Sequence, residues 1–216
     1  MEIKVLKNIL SANEQLASTN RQLLDKEGIF ALNLMSSPGA GKTSLILETI
    51  KRLKGKARAG VIEGDVASSI DAETISKAGI PVLQINTGAQ CHLDASMILR
   101  ALHDLPLKDI DLLFIENVGN LICTAEFALG EHVKLVISSV TEGHDKPQKY
   151  PLMFTVADVV IINKIDLLPY VKFDTEAYTK AVKALNDKVE LFEVSCTTGE
   201  GIDNWVSWLQ TQTGRK

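Results

Sequence analysis

The chain has 216 residues, 45% of them apolar and 23% charged, with a formal net charge of −4 at pH 7. That length buries one full core and makes a single domain the natural count. An acidic balance without a basic run excludes broad nucleic-acid binding. The absence of both a membrane-length apolar run and a signal-peptide core after Met1-Glu2-Ile3-Lys4 places the expected protein in the cytoplasm, off the membrane.

Residues 1–27 precede any strand signal. Ile3, Leu6, Ile9, Leu10, Leu16, Leu23 and Leu24 recur at spacings near three, four or seven, which predicts an N-terminal amphipathic helical extension. Its apolar stripe packs either on the chain's own domain or on a partner. Asn13 and Asn20 interrupt the stripe, which favours a short docking helix over a self-paired coil. From residue 28 to residue 216, short β-branched runs alternate with helical patterns, the mark of a mostly parallel sheet covered by helices on both faces. The predicted strands are Phe30–Met35, Ala59–Ile62, Val82–Ile85, Leu112–Ile115, Leu135–Val140, Val159–Ile162 and Leu191–Val194. The predicted helices are Lys42–Leu53, Asp71–Ala78, Leu93–Leu102, Pro147–Val156, Thr175–Leu185 and Ile202–Leu209, the last carrying Trp205 and Trp208 toward the core.

The first strand runs through Ser36-Ser37-Pro38-Gly39-Ala40-Gly41-Lys42-Thr43-Ser44 into a helix. A strand that turns through glycines into a helix offers consecutive backbone N–H groups and the positive end of a helix dipole to a polyphosphate. Gly39, Ala40, Gly41, Lys42, Thr43 and Ser44 form that P-loop cradle, with Lys42 reaching the β- and γ-phosphates and the Thr43 hydroxyl placed to ligate Mg²⁺. Ser36 stands where the pattern has its first glycine, so the turn there must keep φ negative.

Further strands end in acids. Val61-Ile62-Glu63-Gly64-Asp65 presents Asp65, and after it Glu63, for a Mg²⁺ or water contact. Leu112 to Glu116 leads into Asn117-Val118-Gly119, where Glu116 can hold a Mg²⁺-bound water and the Gly119 N–H can touch the γ-phosphate. No glutamine follows Gly119 to orient an attacking water, and Asn120 substitutes poorly, so GTP hydrolysis to GDP should be slow. The base is chosen by Asn163-Lys164-Ile165-Asp166 at the end of a buried strand. The Asp166 carboxylate accepts two hydrogen bonds that guanine offers and adenine does not, Asn163 bonds the base edge, and the Lys164 stem covers the ring. Ser195-Cys196-Thr197, at the next strand end, offers backbone N–H groups to the guanine oxygen.

The cysteines are few and odd in number, which argues for free thiols over a disulfide framework. Cys91-His92 lies in one loop, and Cys123 lies four residues beyond Gly119. Two thiols and an imidazole suit Zn²⁺ or Ni²⁺. Water or thiolates from a second copy would complete the coordination, the latter giving a metal-bridged homodimer. Spacing alone leaves open the plainer reading of small buried hydrophobes. Cys196 reads as structural, and His103, His132 and His144 receive no role.

The motifs together resemble the HypB family of hydrogenase nickel-incorporation GTPases from about residue 30 onward. They are Asn33 to Thr43, Asn86-Thr87-Gly88 with Cys91 to Ala95, Phe114 to Leu121, Thr141-Glu142-Gly143 and Asn163 to Pro169. The resemblance implies a maturation GTPase that binds nickel or zinc at Cys91, His92 and Cys123, dimerises with GTP and metal, and delivers nickel to a [NiFe]-hydrogenase large-subunit precursor. It implies that the N-terminal helix meets the small zinc protein HypA. Residues 1–30 lack the cysteine or histidine tract that some members carry, and Val66-Ala67-Ser68-Ser69 departs from the familiar continuation of that switch. Two alternatives are a urease-type nickel GTPase, in which a proline is expected between Cys91 and His92, and a metal-binding scaffold that holds nucleotide only as a structural ligand.

Overall fold

Strands that are apolar along most of their length must be buried on both faces, and a parallel sheet between helical layers provides that. A computed structural model describes residues 4–53, 55–66 and 70–214, with side chains from Ser11 onward. Its strands are β1 (Phe30–Ser36), β2 (Ala59–Asp65), β3 (Val82–Asn86), β4 (Leu112–Glu116), β5 (Val133–Ser139), β6 (Val159–Asn163) and β7 (Glu190–Glu193). They form one sheet in the order β3-β2-β4-β1-β5-β6-β7, every pair parallel. All C-terminal strand ends therefore share one edge, where open α/β folds bind ligands.

The helices are α1 (Lys4–Glu27), α2 (Lys42–Leu53), α3 (Ile70–Lys77), α4 (Ala95–Asp104), α5 (Cys123–Glu126), α6 (Lys146–Lys149), α7 (Pro151–Thr155), α8 (Thr175–Leu185) and α9 (Ile202–Gln212). In β1, Leu32 and Leu34 point to the layer of α2 and α9, where they meet Leu45, Ile46, Trp205 and Leu209. Ala31 turns to the opposite face under α1 and α4, and Met35 to the same face under α7 and α8. Period-two alternation along one strand thus feeds cores on both faces. Trp205 is fully buried, and its indole N–H donates to Thr49 Oγ1 at 2.9 Å, so the core tryptophan leaves no polar atom stranded.

Local chemistry moves several element ends. α4 begins at Ala95 rather than Leu93 because the Asp94 carboxylate caps it, accepting from the Met97 N–H at 2.8 Å. The expected helix Pro147–Val156 is broken at Tyr150, because Pro151 has no N–H to continue it and disfavours a helical conformation before it. β5 stops at Ser139, and Val140–Glu142 forms a 3₁₀ turn instead of the expected strand end. α5 has no counterpart among the sequence-derived elements.

The described part of α1 packs on the chain's own domain, against α4 and the segment after α5. Its buried stripe is Asn13, Ala17, Asn20 and Leu24, so the asparagines lie on the packed face rather than interrupting it. Ile3 lies outside the described residues, as do the side chains of Leu6, Ile9 and Leu10.

Candidate nucleotide and metal site

The phosphate loop leaves β1 at Ser36 and enters α2 at Lys42. Gly39 and Gly41 have φ of +75° and +102°, values that a side chain would strain. Gly41 is doubly constrained, since a Cβ there would lie 2.4 Å from Asn163 Nδ2. Lys164 is the one non-glycine residue with positive φ among the described residues. Ser36 therefore meets the expected negative φ, and its hydroxyl accepts from Lys42 Nζ at 3.2 Å.

A cavity of about 280 Å³ opens beside the loop, lined by Lys42, Glu63, Asp65, Asp71, Glu116 and Gly119 among others. Four carboxylates there face one lysine. Glu63 and Glu116 are register partners on neighbouring strands, which sets two acids side by side. Thr43 Oγ1 donates to Glu116 Oε1 at 2.9 Å. Burial pushes the Glu116 carboxyl up to about 7, opposed by Lys42 and the Thr43 hydrogen bond. Burial, then the charges of Glu116, Asp65 and Asp71, pushes Glu63 up to about 8. Glu63 is 2% exposed, and its Oε2 has no hydrogen-bond partner. An orphaned carboxylate oxygen among hard oxygen donors fits a divalent ion such as Mg²⁺, directly or through water.

Glu63 is thus more buried and less satisfied than Asp65, whose Oδ1 accepts the Val66 N–H. Asp71, from the first turn of α3, was missed altogether; its signal was an acid a few residues past β2. Ala67-Ser68-Ser69, the rest of that switch, lie outside the described residues. Gly119 abuts the phosphate loop, where a Cβ would lie 2.8 Å from Pro38 Cγ and 2.9 Å from Pro38 N, so only glycine lets this N–H approach so closely.

The other end of the cradle is already wired. Asn163 Nδ2 donates to Ala40 O at 2.9 Å, and Lys164 Nζ to Gly39 O at 2.7 Å. Ser195 Oγ donates to Asp166 Oδ1 at 2.6 Å, which aims that carboxylate. The Thr197 N–H donates to Ser195 Oγ at 3.2 Å, so this N–H is engaged within the loop. Cys196 is half-buried, packs against the core, and burial pushes its thiol up to about 11.

Cys91, His92 and Cys123 converge although 32 residues separate the two thiols. Their ligand atoms lie within 4.8 Å of one another, and all three residues are half-buried. Both cysteines are free, with Cys91 Sγ 2.9 Å from Cys123 Sγ and 3.9 Å from His92 Nδ1. The His92 ring stacks on Phe127 with centroids 4.0 Å apart, which fixes its plane. Burial holds its pKa below the ordinary histidine value, and the neutral ring is the ligating form. Two sulfurs and an imidazole at this spacing match soft or borderline metals.

The two sites share an anchor in Leu93. Its N–H donates to Asn117 Oδ1 at 3.0 Å, next to the Gly119 loop. Its side chain fills the space over Gly64, where a Cβ would fall 2.7 Å from Leu93 Cγ. The Thr87 N–H, on the same loop, donates to Asp65 O at 2.9 Å. Hence the loop that carries Cys91 and His92 is fastened to both phosphate-facing segments.

His132, given no role from sequence, accepts the Ala31 N–H at Nδ1 (3.0 Å) and contacts Asp25 of α1 through Nε2 (2.8 Å). It clasps α1 to the central strand.

The chain is similar to known proteins over nearly its whole length. The family described as CobW/HypB/UreG, nucleotide-binding domain, matches residues 30–193. The hydrogenase maturation factor HypB of Escherichia coli K12 is 48% identical over 212 residues, which cover 98% of this chain and 72% of that protein. The probable HypB of Methanocaldococcus jannaschii is 45% identical over 208 residues, covering 96% of this chain and 94% of that one. Among solved structures, HypB of Archaeoglobus fulgidus superposes with a TM-score of 0.88 at 41% identity, over 94% of this chain and 99% of the other. HypB of Helicobacter pylori in complex with nickel superposes with a TM-score of 0.89 at 36% identity, over 94% and 95%.

Proposed function

The chain belongs to the HypB family within the CobW/HypB/UreG group, and from that premise we propose that it is a GTP-hydrolysing switch that handles nickel or zinc during hydrogenase maturation. Gly39 to Ser44 cradle the phosphates, Lys42 neutralises the β- and γ-oxygens, and the Gly119 N–H senses the terminal one. Thr43, Asp65 and Glu116 would hold Mg²⁺ or its water, and the ion would supply charge neutralisation at the phosphates. Asn163, Lys164 and Asp166 select guanine, with the Ser195 to Thr197 loop behind them. Without a glutamine to orient the attacking water, turnover is slow, as suits a switch.

Cys91, His92 and Cys123 receive the soft metal as cargo. The observation that carries the reading is the Leu93 anchor: its N–H on Asn117 and its side chain over Gly64 tie the metal loop to the segments that face the phosphates. Ordering those segments around GTP would shift the thiols, and hydrolysis would release them.

Three protein ligands leave room for a donor from a second copy. Ile70 and Ile122, 71% and 60% exposed beside the switches, are apolar surface that a homodimer would cover. The downstream client is a [NiFe]-hydrogenase large-subunit precursor, in the cytoplasm, away from membrane and nucleic acid. The HypA-like zinc protein is assigned to the N-terminal segment, whose sequence carries Ile3, Leu6, Ile9 and Leu10, because the described outward face of α1 is polar. The test is phosphate release from GTP under single-turnover conditions with Mg²⁺. Asp65→Ala should slow it at least tenfold; an unchanged rate would overturn the role given to Asp65, and no phosphate release from wild type would overturn the GTPase assignment.

A further inference from the structure

The ligand-bearing segments, one before α4 and one running from α5 toward β5, meet at the thiol pair and again under α1. Asn13 Oδ1 accepts the Ala95 N–H at 2.9 Å, while its Nδ2 donates to Ala128 O at 2.8 Å. Asn20 Nδ2 donates to Ala95 O at 2.8 Å and to Leu129 O at 2.9 Å. Each asparagine therefore spans both segments. Ala95 lies three residues past His92, and Ala128 five past Cys123. The helix also sits unusually close to this seat. Gly130 has φ of +101°, and a Cβ there would fall 2.6 Å from Asn20 Cβ and 2.7 Å from Ala17 O. A side chain at 130 would lift α1 away.

Two buried amides, Asn13 bonded to main chain through its oxygen and its nitrogen and Asn20 through its nitrogen to both segments, hold those segments at a fixed separation, and apolar packing alone would not set it so sharply. We propose that α1 is a strap that holds the two metal-ligating segments at coordination distance, so that Asn13 and Asn20 are positioning residues for the soft-metal site. Anything that unseats α1 lowers metal affinity. By linkage, bound metal tightens the seat of α1 by the same factor. The inference rests on reading Cys91, His92 and Cys123 as ligands.

The test uses the full chain. Zn²⁺ is titrated in competition with a chromophoric chelator, and Co²⁺ absorption reports the coordination geometry, for wild type, Asn13→Ala/Asn20→Ala and Gly130→Ala. Both variants should bind Zn²⁺ at least tenfold more weakly and lose intensity in the Co²⁺ bands, while GDP affinity stays within twofold. Variants that bind Zn²⁺ as tightly as wild type would overturn the strap and leave the ligand assignment standing. A wild type that takes up no Zn²⁺ would overturn both. Should the variants fail to fold, amide exchange in wild type decides: Zn²⁺ should slow exchange across residues 13–24, and exchange indifferent to Zn²⁺ would overturn the proposal.

Discussion

The two ends of the nucleotide cradle are built on opposite plans. At the base end every selecting side chain already has a partner in the chain, with Asn163 on Ala40 O, Lys164 on Gly39 O and Asp166 held by Ser195. At the phosphate end Glu63 is buried with one oxygen unpaired, and four carboxylates crowd a single lysine. A finished end recognises its ligand by shape that exists beforehand. An unfinished end is completed by what binds, and its conformation can therefore depend on which phosphates are present. The metal loop is tied to the unfinished end, through Leu93 and Thr87, and not to the base end.

Breaking the finished end should have the largest effect and the narrowest one. Asp166→Ala removes the acceptor for the guanine donors, and GDP affinity in a fluorescent-nucleotide titration should fall about a hundredfold. Zn²⁺ affinity of the nucleotide-free protein should not move. Next comes the shared anchor. Leu93→Ala empties a fully buried site and should cost about 2–5 kcal/mol in denaturant unfolding. The Leu93 N–H would still reach Asn117, but with the side-chain contact over Gly64 lost, metal affinity in the surviving folded protein should lose much of its dependence on the nucleotide.

A smaller effect sharpens the contrast from the unfinished side. A carboxyl whose folded pKa is raised binds its proton more tightly folded than unfolded. Its contribution to stability is therefore complete below about 4.5 and is lost as pH rises toward about 8. Glu63→Gln should thus stabilise the nucleotide-free protein by about 1–3 kcal/mol at pH 8 and by nothing measurable near pH 4.5. A gain that persists at pH 4.5 would mean that the amide packs better for reasons unrelated to charge. The smallest effect concerns the clasp on α1. Burial holds His132 below its ordinary pKa, so the stability it confers is present above about 6.5 and lost as pH falls below that. Protonated Nδ1 can no longer accept the Ala31 N–H. The protection factors of amides at the C-terminal end of α1 should fall as the pH drops below about 6.5, and His132→Gln should flatten that change.

How much was legible in the sequence follows the same division. The glycine loop, the Asn-Lys-x-Asp loop and the acids at strand ends are local patterns, each carried by a few consecutive residues. They could be read without knowing the fold. The doubly wound sheet was readable because alternation between strand and helix is also local. The convergence of Cys91 with Cys123 was expected only through the proximity of Cys123 to Gly119, and the fold supplied the rest by placing the ends of β3 and β4 on one edge. Asn13 and Asn20 misled because a polar residue in an apolar stripe looks like a flaw. Their partners are main-chain groups of Ala95, Ala128 and Leu129, and a backbone carbonyl has no sequence signature. His132 was opaque for the same reason, since its partners are the Ala31 N–H and a carboxylate on α1, 107 positions away. The deep burial of Glu63 was not legible because burial depends on which strand neighbour a residue meets, and Glu116 is that neighbour.

The coupling proposed through Leu93 makes the terminal phosphate and the soft metal feel each other. The most direct measurement is the Zn²⁺ or Ni²⁺ affinity of the full chain loaded with GDP or with a non-hydrolysable GTP analogue, alongside the affinity for each nucleotide with and without metal. The two ratios should differ from one and equal each other, as linkage requires. Metal affinity that is the same in both nucleotide states would contradict the account.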